Sequence, residues 1–395
     1  MEYGLSNLYK TWITRLFYFF FIVTLLFPVI IINKMVFISI ILLMVFNYKI
    51  YRFKTIAPFV IFLIFLWGFI HSFFYYSDRA ISLQFFLSTL VLFLIYPINK
   101  YKIDLDRIAK VSGIIMVIYT WISFFIVTTG LPFSDAYYDF FFNYSTGSYS
   151  LRDFVDDGII TFQMGTLPFL YLSLVLYYVS FLKEKKIGKA IILLIFFVTL
   201  ALGGSRASIL TTIITLVMIT FIKSSNINRI RFLFISIPVV ITVGSYILIN
   251  TNVFDKGEVS NAVKLGHYNS FWENLNFFNF FLGEGLASYY YSEGAHAFKA
   301  YTEITPLDML RYFGFILTPI LYIYMLFPIR RITAYFGENF LFFVTFFMYV
   351  VNSMTNPTMF NSYGFLIVLW YWSKILNTSE IKGSEVINEV KTVKQ

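Results

Sequence analysis

A chain of 395 residues with 59% hydrophobic, 22% aromatic and only 13% charged side chains is too apolar for a water-soluble globule. Its mean hydropathy of +0.75 suits a chain built from apolar stretches of about 17–25 residues, the length that crosses a bilayer. The absence of cysteine excludes disulfides and thiolate metal sites. The net charge of +9 is spread over the connections rather than gathered into the one basic patch that nucleic acid requires.

In chain order the apolar runs predict twelve helices, at 13–32, 35–48, 56–74, 81–98, 108–129, 160–182, 187–202, 206–222, 231–249, 305–327, 339–354 and 360–376. The run from Trp12 to Ile32 exceeds a signal-peptide core and lacks a small-residue cleavage pattern, so it reads as a retained first span. The second helix is short, either tilted or re-entrant, and joins the first in a tight hairpin at Asn33-Lys34. The expectation is an all-α, polytopic membrane protein. Residues 1–376 form one integral membrane domain, including a long outer connection at 250–302, and 377–395 form a short, polar and mobile cytoplasmic tail.

With the N-terminus inside, every basic residue except Lys34, Arg79, Arg152, Arg206, Lys256, Lys264, Lys299 and Arg311 falls on the cytoplasmic side. That follows the positive-inside rule and favours an even number of spans, with both termini cytoplasmic. Two long segments then lie outside. The first, about Gly130–Ile159, carries Asp135, Asp139, Asp153, Asp156 and Asp157. The second, about Asn250–Thr302, is far longer than a helix connection needs to be. Trp272, Phe277, Phe278, Tyr289, Tyr290 and Tyr291 argue that it is ordered, and aromatic faces among Asn, Ser and carboxylates suit stacking on sugar rings.

Three groups of residues carry candidate chemistry. In Gly203-Gly204-Ser205-Arg206-Ala207-Ser208, Gly203 can end one helix and Ser205 can cap the next. Arg206 then stands beside the free N–H groups of a helix start, a natural place for a phosphate. The plainer reading is an arginine that anchors a helix end by snorkelling. In Glu303-Ile-Thr-Pro-Leu-Asp308-Met-Leu-Arg311, the residues Thr305, Pro306 and Asp308 read as N-cap, first helical residue and third residue of a capping box. Arg311 is spaced to bridge Asp308. Glu303, just before the helix, is a general-base candidate if burial raises its pKa, or a solvated loop carboxylate if not. Third come Lys264 and His267 near Trp272, followed by Gly283-Glu284-Gly285, which reads as a tight turn. His267 and His296 read as surface histidines or as catalysts, and His71 as a hydrogen-bonded helix residue.

These residues together resemble the bacterial O-antigen polymerase and ligase superfamily, specifically Wzy-type polysaccharide polymerases. The likeness covers roughly the second half of the chain. It rests on the Gly-Gly-Ser-Arg206-Ala-Ser boundary, the outer loop ending in Gly283-Glu-Gly285, the Glu303…Leu307-Asp308…Gly314 helix start, and Asn356-Pro357…Phe360-Asn361-Ser362-Tyr363-Gly364. The resemblance implies a C-type membrane glycosyltransferase that uses undecaprenyl-diphosphate-linked oligosaccharide on the outer face of the plasma membrane. Arg206 matches a diphosphate-binding arginine. Glu303 stands where many relatives have histidine and takes the base role. Lys264 or His267 stands near the place of a second family arginine, and Arg311 serves the diphosphate or holds Asp308. No metal or other cofactor is expected. The partners implied are the lipid-linked glycan, membrane lipid and, optionally, a chain-length regulator protein, with no nucleic acid. Two alternatives are a ligase that transfers finished glycan to another acceptor and a lipid-linked oligosaccharide flippase. A flippase needs charges deep within its helices.

Overall fold

The computed structural model describes residues 2–28, 31–46, 54–141, 143, 149–154, 159–225, 227, 259–355 and 357–392. The predicted helix at 231–249, the Asp156-Asp157 pair, Lys256 and Asn356 lie outside the described residues. What is described is mostly helical. The helices are α1 (Glu2–Leu26), α2 (Ile31–Phe46), α3 (Ala57–His71), α4 (Arg79–Ser88), α5 (Ile95–Tyr101), α6 (Leu105–Thr128), α7 (Ser134–Phe140), α8 (Leu170–Glu184), α9 (Ile187–Leu202) and α10 (Arg206–Lys223). They continue with α11 (Val259–Glu273), α12 (Phe277–Leu282), α13 (Thr305–Leu326), α14 (Phe340–Ser353) and α15 (Ser362–Thr392). Two antiparallel hairpins complete the set, β1 (Tyr149–Phe154) with β2 (Ile159–Met164), and β3 (Tyr290–Ser292) with β4 (Ala297–Lys299).

Among the described residues, seven helical segments are long and apolar enough to cross a membrane: Tyr9–Leu26, Ala57–Phe74, Arg79–Tyr101, Leu105–Thr128, Leu167–Glu184, Arg206–Lys223 and Thr305–Leu326. Ile31–Val45 and Ile187–Leu202 are shorter apolar helices. Local chemistry sets several boundaries. Asp78 caps α4 by accepting from the Ala80 and Ile81 N–H groups, and Asp104 caps α6 through Arg107 N. The rod from α4 to α5 tightens into a 3₁₀ stretch over Thr89–Leu94. Pro97, just beyond that stretch, has no N–H to extend an α ladder.

The first turns of α15 are buried all round. Phe365, Leu366, Ile367, Val368, Leu369, Trp370, Tyr371 and Trp372 are each at most 1% exposed. A helix apolar on every side belongs at the centre of a bundle. Its polar edges find partners there: Trp372 Nε1 donates to Met325 O and Tyr371 Oη to Leu326 O. The helix also runs further than expected. Residues 377–392, read from sequence as a mobile tail, continue it to Thr392, through a stretch free of proline and rich in Glu and Lys.

The helices put their ends at two faces. At one face Thr55 Oγ1 donates to Pro328 O and Tyr96 Oη to Thr55 O. At the other, the α3–α4 turn meets the chain after α12 through Asp78 N to Ala287 O and Tyr289 N to Tyr76 O. The candidate site lies at this second face.

Candidate functional site

The site is assembled from two helix starts and the folded segment between α10 and α13. The boundary at Arg206 forms as its residues predict. α9 ends at Leu202, Ser205 is the N-cap of α10 and accepts from Ser208 N at 3.3 Å, and Arg206 is the first helical residue, half-buried. One turn on, Ser208 Oγ donates to Asn352 Oδ1 at 3.1 Å, near the end of α14. The next residue of α14 completes a bridge, because Thr305 Oγ1 donates to Ser353 O at 2.6 Å. The end of α14 therefore ties the start of α10 to the start of α13. Arg206 and the Glu303–Thr305 segment share one face of the bundle.

The start of α13 departs from a standard capping box. Ile304, not Thr305, is the N-cap, and it has no side-chain cap bond. Thr305 is drawn off by the Ser353 carbonyl, a tertiary acceptor that local spacing could not reveal. Asp308 reaches back one residue beyond Glu303: its Oδ2 accepts from Thr302 N at 2.7 Å and from Thr302 Oγ1 at 3.1 Å. Its Oδ1 pairs with Arg311 at 3.1 Å, as the three-residue spacing predicts.

Arg311 is buried and its terminal nitrogens are occupied. They donate to the carbonyls of Ser288 and Ala300 as well as to Asp308. The guanidinium carbon lies 4.5 Å from the Tyr290 ring centroid and 4.9 Å from that of Tyr312. Of the two duties expected of Arg311, this geometry favours holding Asp308 and, with it, the loop.

The Gly283-Glu284-Gly285 stretch is more than a turn. α13 breaks at Gly314, where φ is 71° and ψ 179°. A break frees carbonyls that a continuous helix would have used. Glu284 N donates to Arg311 O at 2.7 Å and Gly285 N to Tyr312 O at 3.1 Å, filling two such positions. The two backbones approach so closely that a Cβ at Gly314 would lie 2.2 Å from Phe281 O, and one at Gly283 would lie 2.4 Å from Tyr312 O. Both positions also have positive φ, so both require glycine.

Around this joint the titratable groups gather. Lys264 Nζ lies 3.8 Å from Glu303 Oε2, and the two side chains are 32% and 46% exposed. Glu303 is thus an accessible, ion-paired carboxylate rather than the buried one that a burial-tuned base would need. It sits on the rim because the chain turns outward between buried Thr302 and buried Thr305. One helical turn after Lys264, His267 is buried, with Nδ1 at 2.6 Å from Ser292 Oγ and 3.2 Å from Tyr290 Oη. Burial lowers the His267 pKa, the charge of Glu303 opposes that shift, and Lys299 and Arg311 reinforce it. Burial pushes the Tyr290 hydroxyl up to about 12, so the phenol stays protonated beside the ring.

Lys264, His267, Glu303 and Arg311 are therefore neighbours, and Arg206 lies on the same face by way of α14. Sequence reasoning missed Glu284. Burial raises its carboxyl, against Arg311 and hydrogen bonds from Ser288 and Asn279, and Asn279 Nδ2 donates to its Oε1 at 2.6 Å. The signal for it was faint, a carboxylate bracketed by two glycines ahead of an aromatic strand. No protein-family model, curated protein or solved structure matches this chain.

Proposed function

We propose that this protein is a membrane glycosyltransferase of about twelve spans, a polymerase of lipid-linked oligosaccharide repeats of the Wzy type. The observation that carries the reading is the Ser208–Asn352 and Thr305–Ser353 bridge, which sets a helix-start guanidinium and an ion-paired carboxylate on one face of the bundle. The opposite face holds Lys54, Lys100, Lys102, Lys183, Lys185, Lys186, Arg330 and Arg331 on its connections and helix ends. The positive-inside rule makes that face cytoplasmic and the site face external, with both termini inside a bacterial plasma membrane.

In this reading Arg206 and the N–H groups at the start of α10 hold the diphosphate of an undecaprenyl-diphosphate-linked donor. The acceptor sugar hydroxyl attacks the anomeric carbon of the donor. A new C–O bond forms, the bond to the diphosphate breaks, and its electron pair leaves on the diphosphate oxygen. The hydroxyl proton passes to Glu303, which Lys264 positions. Because the leaving group is already an anion, cationic groups need only stabilise the charge that develops on it. His267, held by Ser292 and Tyr290, lines the acceptor side as a neutral imidazole. Arg311 shapes the loop from within.

Arg206→Ala and Glu303→Gln should each abolish polymer while the protein remains inserted in the membrane. Full-length polymer from both variants would reject these roles. Glycan laddering after loss of the gene separates the two enzyme readings: a polymerase leaves single repeats still attached to their acceptor, whereas a ligase leaves no attached chain.

A further inference from the structure

The β3–β4 hairpin is inside out. Tyr76-Ser77-Asp78, from the α3–α4 turn, runs antiparallel to the approach to β3, with Ser77 bridged to Ser288 and Asp78 N donating to Ala287 O. β3 in turn pairs with β4, so three short extended segments lie side by side. A half-buried antiparallel strand ordinarily turns its apolar residues inward and its polar ones to water. Here the buried positions are Ser288, Tyr290 and Ser292, because His267 and Arg311 give them polar partners beneath the sheet.

Side chains alternate along a strand, so Tyr289 and Tyr291 point the other way. Tyr76, across from Tyr289, meets it with ring centroids 4.9 Å apart, and Phe298, across from Tyr291, meets that ring at 5.6 Å. Four aromatic rings thus share the outer face of the sheet. They are open to solvent: Tyr76 is 78% exposed, Phe298 64% and Tyr291 43%. The Tyr289 hydroxyl donates to Asp78 Oδ2 at 3.1 Å, which holds its ring in place. Tyr290, between the two outward tyrosines, is committed to Arg311 and His267 and takes no part.

An exposed apolar patch rimmed by polar groups marks an interaction site. The rim argues against hydrocarbon, since Glu293, His296 and Lys299 are exposed on the same hairpin and charge is costly in lipid. Aromatic faces carry the negative end of the ring quadrupole. The C–H face of a sugar ring offers the matching partial positive charge, and its hydroxyls can donate to the carboxylates at the rim, Asp78 and Glu293. The patch is also continuous with the candidate site. β4 leads through buried Ala300 and exposed Tyr301 to Glu303, and the five residues from Phe298 to Glu303 span at most about 18 Å. We propose that Tyr76, Tyr289, Tyr291 and Phe298 form a platform on which sugar rings of the glycan chain stack beside Glu303. The inference rests on the glycan-handling reading of this protein and adds to it the place where the chain is held.

The test uses the full-length protein in lipid nanodiscs and, as probe, the surface polysaccharide purified from its host, with binding followed by biolayer interferometry. Y76A/F298A removes one ring from each pair. At about threefold per ring, affinity should fall roughly tenfold. Y76W/F298W keeps a ring at both positions and should stay within about threefold of wild type, which guards against a variant that merely misfolds. F277A/F278A removes two rings of α12 that are 73% and 72% exposed, and should stay within about twofold. Wild-type affinity in Y76A/F298A, or an equal loss in F277A/F278A, would overturn the platform. Binding needs no turnover, so the two proposals fail separately. Polymer lost in Arg206→Ala beside unweakened binding in Y76A/F298A would sink the platform alone. Polymer retained in Arg206→Ala and Glu303→Gln beside the tenfold loss would reject the catalytic roles and support the platform. No binding by the wild type would overturn the platform whatever the polymer assay returned.

Discussion

Replacing Arg311 with alanine removes the cation paired with Asp308 in a setting where both side chains are 5% exposed. Removing one partner of a buried ion pair costs about 3–5 kcal/mol, because the other charge stays behind uncompensated. The Ser288 carbonyl loses its Arg311 donor in the same substitution, while the Ala300 carbonyl keeps the Tyr312 hydroxyl, which places Arg311→Ala near the middle of that range. Asp308→Asn should cost less, about 2 kcal/mol, since the guanidinium keeps both carbonyls and the amide oxygen can still accept from Thr302. The double variant should then show a coupling of about 2 kcal/mol rather than additivity. Arg311→Lys should recover little, because one ammonium cannot reach two carbonyls and a carboxylate as a planar fork does. The assay is unfolding of the full chain in lipid nanodiscs, with hydrogen exchange followed over residues 284–302 and no glycan present. Stability within about 0.5 kcal/mol of wild type, together with unchanged exchange, would show that Arg311 is not the clamp and return it to the substrate-binding groups.

Gly314→Ala should destabilise the protein by at least about 2 kcal/mol, since this backbone region is nearly closed to other residues. It should also expose the Glu284 and Gly285 amides to exchange, and protection equal to wild type would mean that α13 tolerates a side chain at its break. His267 gives a pH dependence of known sign: its folded pKa lies below the ordinary value of about 6.5, so its contribution is present above that pH and is lost as pH falls through the folded value. His267→Gln should flatten this acid arm in a stability–pH series, and an unchanged arm would place the titration elsewhere. Lys264→Ala should change stability by less than about 1 kcal/mol, as expected for a half-exposed pair, yet slow glycan transfer in membranes. A normal transfer rate would remove Lys264 from the site.

Most of the long apolar helices were legible in the sequence because each is set by neighbours along the chain. By contrast, α7, α11 and α12 were not foreseen, the run read as a helix from 160 opens instead as β2, and the turn read at Asn33-Lys34 falls before Ile31. Apolar runs of membrane length and capping residues such as Ser205 and Asp78 act within a few positions of themselves, and α9 and α10 begin where those signals place them. The Asp308–Arg311 pair was legible for the same reason, being a contact across one helical turn. The site was legible only as a set of candidates. That Thr305 serves Ser353 instead of capping its own helix, that Glu303 stands exposed against Lys264, and that Glu284 docks its backbone into a helix broken at Gly314 all depend on residues tens of positions apart. A local pattern can specify the periodicity and ends of a helix, because 3.6 residues per turn fix which side chains meet. It cannot specify which foreign carbonyl or carboxylate arrives at those ends, because that partner is chosen by how the whole bundle packs.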